Sequence, residues 1–95
     1  MSLSLYVDSE RSQQPSLDLS NGNAVILFQV LFNETLESHD CARKFADELE
    51  EALDAFVPGS LIEAGMDQWL EEICIQELTA YLEEMQTLDV PLAWS

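Results

Sequence analysis

Between residues 38 and 86 the apolar side chains recur with the period of an α-helix, and a single Pro58-Gly59 pair cuts the run in two. A chain built this way must bury the apolar sides of two long amphipathic helices against something else. In the first half Ala42, Phe45, Leu49, Ala52, Leu53 and Phe56 fall within one arc of about 100°, with Asp40, Asp47, Glu51 and Asp54 opposite. The spacing predicts a helix over residues 38–57. In the second half Ser60 and Glu63 have the form of a capping box, and a helix is expected over residues 61–86, with Gly65 as a point of interruption. Here the stripe turns: Met66, Trp69, Leu70 and Ile73 point one way, and Cys74, Leu78, Tyr81, Leu82 and Met85 another, rotated by about 100°. One core cannot take both directions. Either the helix kinks, or Met66, Trp69 and Ile73 form an apolar patch for a partner or for a second copy in a homodimer.

Ahead of these helices, residues 4–7 and 16–19 read as two short strands, joined by a polar, aperiodic segment over residues 8–15 that ends in Pro15 and reads as a flexible loop. Residues 24–32 are nearly all apolar. Val and Ile favour a buried strand there, while Ala, Leu and Gln, preceded by Asn21 and Asn23 as caps, favour a buried helix, and periodicity does not separate the two over so short a run. Val90-Pro91-Leu92-Ala93-Trp94 closes the sequence with a proline that suits an edge strand, a third strand beside the first two.

Leu17-Asp18-Leu19-Ser20-Asn21-Gly22-Asn23-Ala24 resembles an LxLSNxNA opening found in small phage- and plasmid-borne proteins to which no activity is attached. In those a short strand runs into a helix capped by the asparagines, and the chain ends in a V-x-W-like strand that Val90 and Trp94 match with a longer spacing. The resemblance spans about fifteen residues, implies a helix over residues 23–32, and implies a mobile-element setting. The expected fold is α+β and mostly helical, a single domain over residues 1–95.

The charge is one-sided. Nineteen acids face three basic residues, Arg11, Arg43 and Lys44, for a formal net charge of −16, while 47% of the residues are hydrophobic, enough for a core. Direct nucleic-acid binding is not expected, because it needs Lys and Arg to displace counterions from phosphate. An anionic membrane is an equally poor partner, and the longest apolar stretch falls well short of the ~20 residues that span a bilayer. Nothing at the start of the sequence reads as a secretory signal, and two cysteines, Cys41 and Cys74, make no disulfide framework, so a cytoplasmic setting with reduced thiols is expected.

Catalytic chemistry finds little to work with. The one histidine, His39, stands two residues from Cys41, a spacing that sends the two side chains to opposite sides of a helix. Glu37, His39 and Asp40 lie close together, but acids in a helix's first turn account for them, and no zinc or EF-hand spacing is present. The adjacent pairs Glu71-Glu72 and Glu83-Glu84 diverge by about 100° on a helix. No enzyme activity, metal or cofactor is expected.

What remains is the acidic surface: Asp40, Asp47, Glu48, Glu51 and Asp54 on the first long helix, Glu72 and Glu83 on the second. A solvated face that keeps a small protein soluble ordinarily mixes both signs, and this one does not. Carboxylates fixed in a row present a polyanion, which suits a basic protein partner. The expected function is a binding protein that mimics nucleic acid to inhibit or modulate a basic nucleic-acid-handling protein. The alternative is an adaptor or chaperone working through its apolar helix stripe.

Overall fold

The computed structural model describes residues 2–34 and 42–95. Its elements are, in chain order, β1 (Ser2–Val7), β2 (Leu17–Ser20), α1 (Asn21–Phe32), β3 (Ala42–Lys44), α2 (Ala46–Ala55), α3 (Ser60–Glu63), α4 (Gln68–Leu88) and β4 (Leu92–Trp94). The four strands form one antiparallel sheet in the order β2-β1-β4-β3. Helices outnumber strands in residues, and the fold is α+β and mostly helical, as the residue pattern predicts.

Alternation builds the sheet. Leu3, Leu5 and Val7 of β1 and Leu17 and Leu19 of β2 are buried, whereas Asp18 between them is exposed. Leu3 pairs with Leu19 and Leu5 with Leu17, so the apolar side chains meet across the strands on the face that receives the helices. Phe28 of α1, Leu49 of α2, Leu61 of α3 and Leu70, Cys74, Leu78, Tyr81 and Met85 of α4 complete that core. Phe28 packs on Trp94 with ring centroids 4.6 Å apart.

Residues 24–32 are helical. The N-cap is Ser20, whose hydroxyl accepts a hydrogen bond from the Asn23 backbone N–H at 3.3 Å, so the serine does the work that the sequence assigns to Asn21 or Asn23. Asn33 ends the helix in the left-handed region at φ 52°.

Three expectations need correction. The helix expected over residues 38–57 is shorter: residues 42–44 form β3, α2 begins at Ala46, and residues 38–41 lie outside the described residues. Strand pairing wins there, since Ala42, Arg43 and Lys44 lie opposite Trp94, Ala93 and Leu92. The C-terminal strand is central, between β1 and β3. Pro91 precedes it, where no N–H is required, and the Pro91 carbonyl accepts from the Asp8 N–H at 3.0 Å. The helix expected over residues 61–86 is two helices, and the Ser60-Glu63 capping box does not form: Gly59 is the N-cap residue, without a side-chain cap.

The break at Gly65 also resolves the rotated stripe. Gly65 has φ +117°, its N–H donates to the Ile62 carbonyl, and the Met66 N–H donates to the Leu61 carbonyl, the paired bonds of a Schellman ending. Such an ending brings the residue after the glycine back onto the helix it closes. Met66 is accordingly buried at 2% exposure beside a fully buried Leu61, so it is not part of an exposed apolar patch.

Candidate functional site

α2 is helical for local reasons. Alanine, leucine and glutamate dominate it, and Asp47 and Glu48 lie in its first turn, where the helix dipole favours negative charge. Leu49 and Ala52 are buried, with Leu53 packed partly behind them, which leaves Asp47, Glu48, Glu50, Glu51 and Asp54 exposed. Asp47, Glu51 and Asp54 follow one another about once per turn, a rise of ~5.4 Å. Asp40 lies outside the described residues.

The acidic surface continues onto α4. Gln86 Nε2 donates to Glu50 Oε2 at 2.8 Å, tying the two helices along their exposed sides. Glu83 is exposed one turn before Gln86 and lines a groove with Arg11 and Glu84. Glu72 is exposed on the same side of α4 but ~16 Å further along the axis, so the two α4 carboxylates stand well apart.

Two of the three basic residues are consumed inside the fold. Arg43 Nε pairs with Asp8 Oδ2 at 2.9 Å. The Lys44 ammonium pairs with Glu34 and, at 3.3 Å, with Glu48, and lies 5.1 Å from the centroid of the Phe32 ring. Burial works to lower the Lys44 pKa, but the hydrogen bonds and attraction of Glu34 and Glu48 outweigh it, and the net direction is upward. Glu48 is therefore partly neutralised within the chain and contributes less to the acidic face than its sequence position suggests. Arg11 lies at the other end of the surface, in a shallow groove with Glu83 and Glu84.

The paired acids do diverge. Glu72 is exposed while Glu71 is buried, its carboxylate accepting from the backbone N–H groups of Gly59 and Leu61. Glu83 is exposed while Glu84 accepts from the Ser12 hydroxyl and, at 2.9 Å, from the Gln13 N–H. That contact holds part of the 8–15 segment against α4.

Of the apolar patch, Trp69 is 60% exposed and Ile73 39%, one turn apart on α4, while Met66 belongs to the core. Phe45, assigned to the buried arc by its spacing, is 58% exposed because it stands at the β3–α2 junction. Only knowledge of the β3–β4 pairing would have revealed this. Cys74 is fully buried, and burial first, then the Glu71 charge, pushes its thiol up to about 11. It is protonated at neutral pH and is no nucleophile. His39, Cys41 and Glu37 lie outside the described residues.

No helix of the described residues is long and apolar enough to cross a membrane. Among those residues no group of three or more His, Cys, Asp or Glu side chains is arranged to hold a metal ion. No protein-family model, curated protein or solved structure matches this chain.

Proposed function

We propose that this chain is a non-enzymatic cytoplasmic binding protein that takes the place of nucleic acid on a basic protein, inhibiting or modulating it in the manner of phage- and plasmid-borne anti-defence proteins. The supporting observation is the row Asp47, Glu51 and Asp54, exposed on a helix anchored by Leu49 and extended by Glu50, while Arg43 and Lys44 are tied up in internal ion pairs. A rigid row of carboxylates approximates the fixed charges of a phosphate backbone. Its binding energy would be spread over many groups, so no single acid is decisive.

The test uses the immobilised protein to capture partners from host lysate, with mass spectrometry and a salt titration. Capture of a basic nucleic-acid-binding protein, released by moderate salt or added DNA or RNA, is the expected result. Changing Asp47→Asn, Glu51→Gln and Asp54→Asn together should weaken it with the fold intact. Capture that survives the triple change and ignores both salt and nucleic acid rejects the reading.

A second reading has its own observation. Trp69 and Ile73 are exposed one turn apart, which supports an adaptor or chaperone surface or a homodimer contact. Binding through that pair would persist or strengthen with salt.

A further inference from the structure

We infer that the groove between the start of α2 and the end of α4 is a binding site for an arginine side chain of the basic partner. The groove has a volume of about 680 Å³, and its lining includes Phe45, Asp47, Gln86, Asp89, Val90 and Pro91. Phe45 is 58% exposed, while Asp47 and Asp89, at the first turn of α2 and the C-cap of α4, are exposed on the same groove. An aromatic face with carboxylates beside it is the environment a desolvating guanidinium seeks: stacking for its plane and charged acceptors for its edge.

The molecule shows this chemistry at work one residue away. Lys44 lies over the Phe32 ring and pairs with Glu34 and Glu48, so one aromatic ring and two carboxylates hold one cation. Lys44 and Phe45 are consecutive in extended backbone, and their side chains leave the chain on opposite sides. Phe45 thus carries the same kind of grouping, an aromatic ring with Asp47 and Asp89, to the other side of α2. No basic side chain lines that groove among the described residues. Arg11 lines a different groove and Arg43 and Lys44 are paired elsewhere, so an arginine seated here comes from another molecule. A second copy of this chain, with a formal charge of −16 and Arg43 and Lys44 already paired, is a poor source. Arginine is favoured over lysine because its planar, weakly hydrated group stacks on an open aromatic face while keeping its edge donors for carboxylates.

The site lies beside the acidic face of α2, and Gln86 reaches Glu50 from its wall, so the inference rests on the proposal of a basic partner and names the group recognised. Its test needs no partner. N-acetyl-arginine methylamide is titrated into the whole protein and followed by amide and aromatic NMR. Phe45, Asp47, Asp89 and Val90 should shift first and most, and the uncharged isostere N-acetyl-citrulline methylamide should leave them in place at the same concentration. Phe45→Ala should weaken binding at least fivefold and Phe45→Trp restore it. Asp89→Asn, which keeps a residue tolerant of the left-handed backbone, should also weaken it, whereas Trp69→Ala should change nothing. Shifts spread equally over Glu51, Asp54 and Glu83, equal binding of the lysine analogue, or unaltered binding by Phe45→Ala would each overturn the inference. The two ideas fail separately: arginine seated in the groove while lysate capture ignores nucleic acid leaves the site standing and removes the mimic.

Discussion

The carboxylate of Glu71 accepts a hydrogen bond from the backbone N–H of Leu61 at 3.0 Å and two longer ones from Gly59, so an acid on α4 satisfies the start of α3. Glu71 is 7% exposed and Leu61 fully buried, and the Ser60 hydroxyl does not cap the helix. A buried carboxylate is held by the donors that surround it, and those donors depend on it equally. Replacing Glu71→Ala leaves at least one buried N–H without its acceptor. We expect a loss of about 2–4 kcal/mol, with Glu71→Gln losing less because its carbonyl still accepts. Glu72→Gln, an exposed neighbour, should stay within about 0.5 kcal/mol. Urea unfolding of the three variants checks this; equal midpoints for Glu71→Ala and the wild type would show that the contact contributes nothing.

The carboxylates of α2 are close enough to repel one another, and among the described residues only Glu48 has a cation beside it there. Screening acts at ~10 Å in 0.1 M salt, a distance that spans the row. The melting temperature should therefore rise between low and moderate ionic strength. A fall would mean that the pairs Arg43–Asp8 and Lys44–Glu34 outweigh the repulsion.

The two tryptophans should separate cleanly. Trp94 is 5% exposed and packs on Phe28, so Trp94→Ala should cost about 3–5 kcal/mol. Trp69→Ala should change stability by less than about 1 kcal/mol, since its side chain is mostly outside the core. Acrylamide should quench Trp69 far more than Trp94, and equal quenching would contradict the exposure of Trp69.

Local pattern carried the sequence reading where a residue's neighbours in the chain were also its neighbours in space. Leu3, Leu5, Leu17 and Leu19 showed the sheet by alternation, and Leu49, Ala52, Leu78 and Met85 showed the inner sides of α2 and α4 by helical spacing. The exposure of Asp47, Glu51, Asp54, Glu72 and Glu83 was legible for the same reason. What was hidden depended on distant partners. β3 exists because β4, fifty residues later in the chain, pairs with it, and the same pairing turns Phe45 out of the arc that its spacing assigned. Met66 was misread because a glycine ending, and not helical phase, fixes its direction.

Alkali should unfold the protein early, through groups that the fold keeps protonated. Burial and the Glu71 charge raise the Cys74 thiol from an ordinary value near 9 to about 11. Burial, then Glu77 and Asp18, raise the Tyr81 phenol, which donates to the Pro15 carbonyl. In the unfolded chain both groups lose their protons at lower pH than in the folded one. Between those pH values the native state binds more protons, so stability falls as pH rises. Below about pH 9 the Cys74 contribution is fully present; it is lost as pH climbs through about 11, a change on the order of 2–3 kcal/mol. Lys44, also raised, loses its proton and its pairs with Glu34 and Glu48 only above the usual lysine range, which steepens the fall. Cys74→Ala in a Cys41→Ser background removes the thiol's contribution. Its stability at pH 7 drops through lost packing, yet its decline from pH 9 to 11 should be shallower than that of Cys41→Ser alone. Parallel declines for the two proteins would show that Cys74 does not titrate with unfolding.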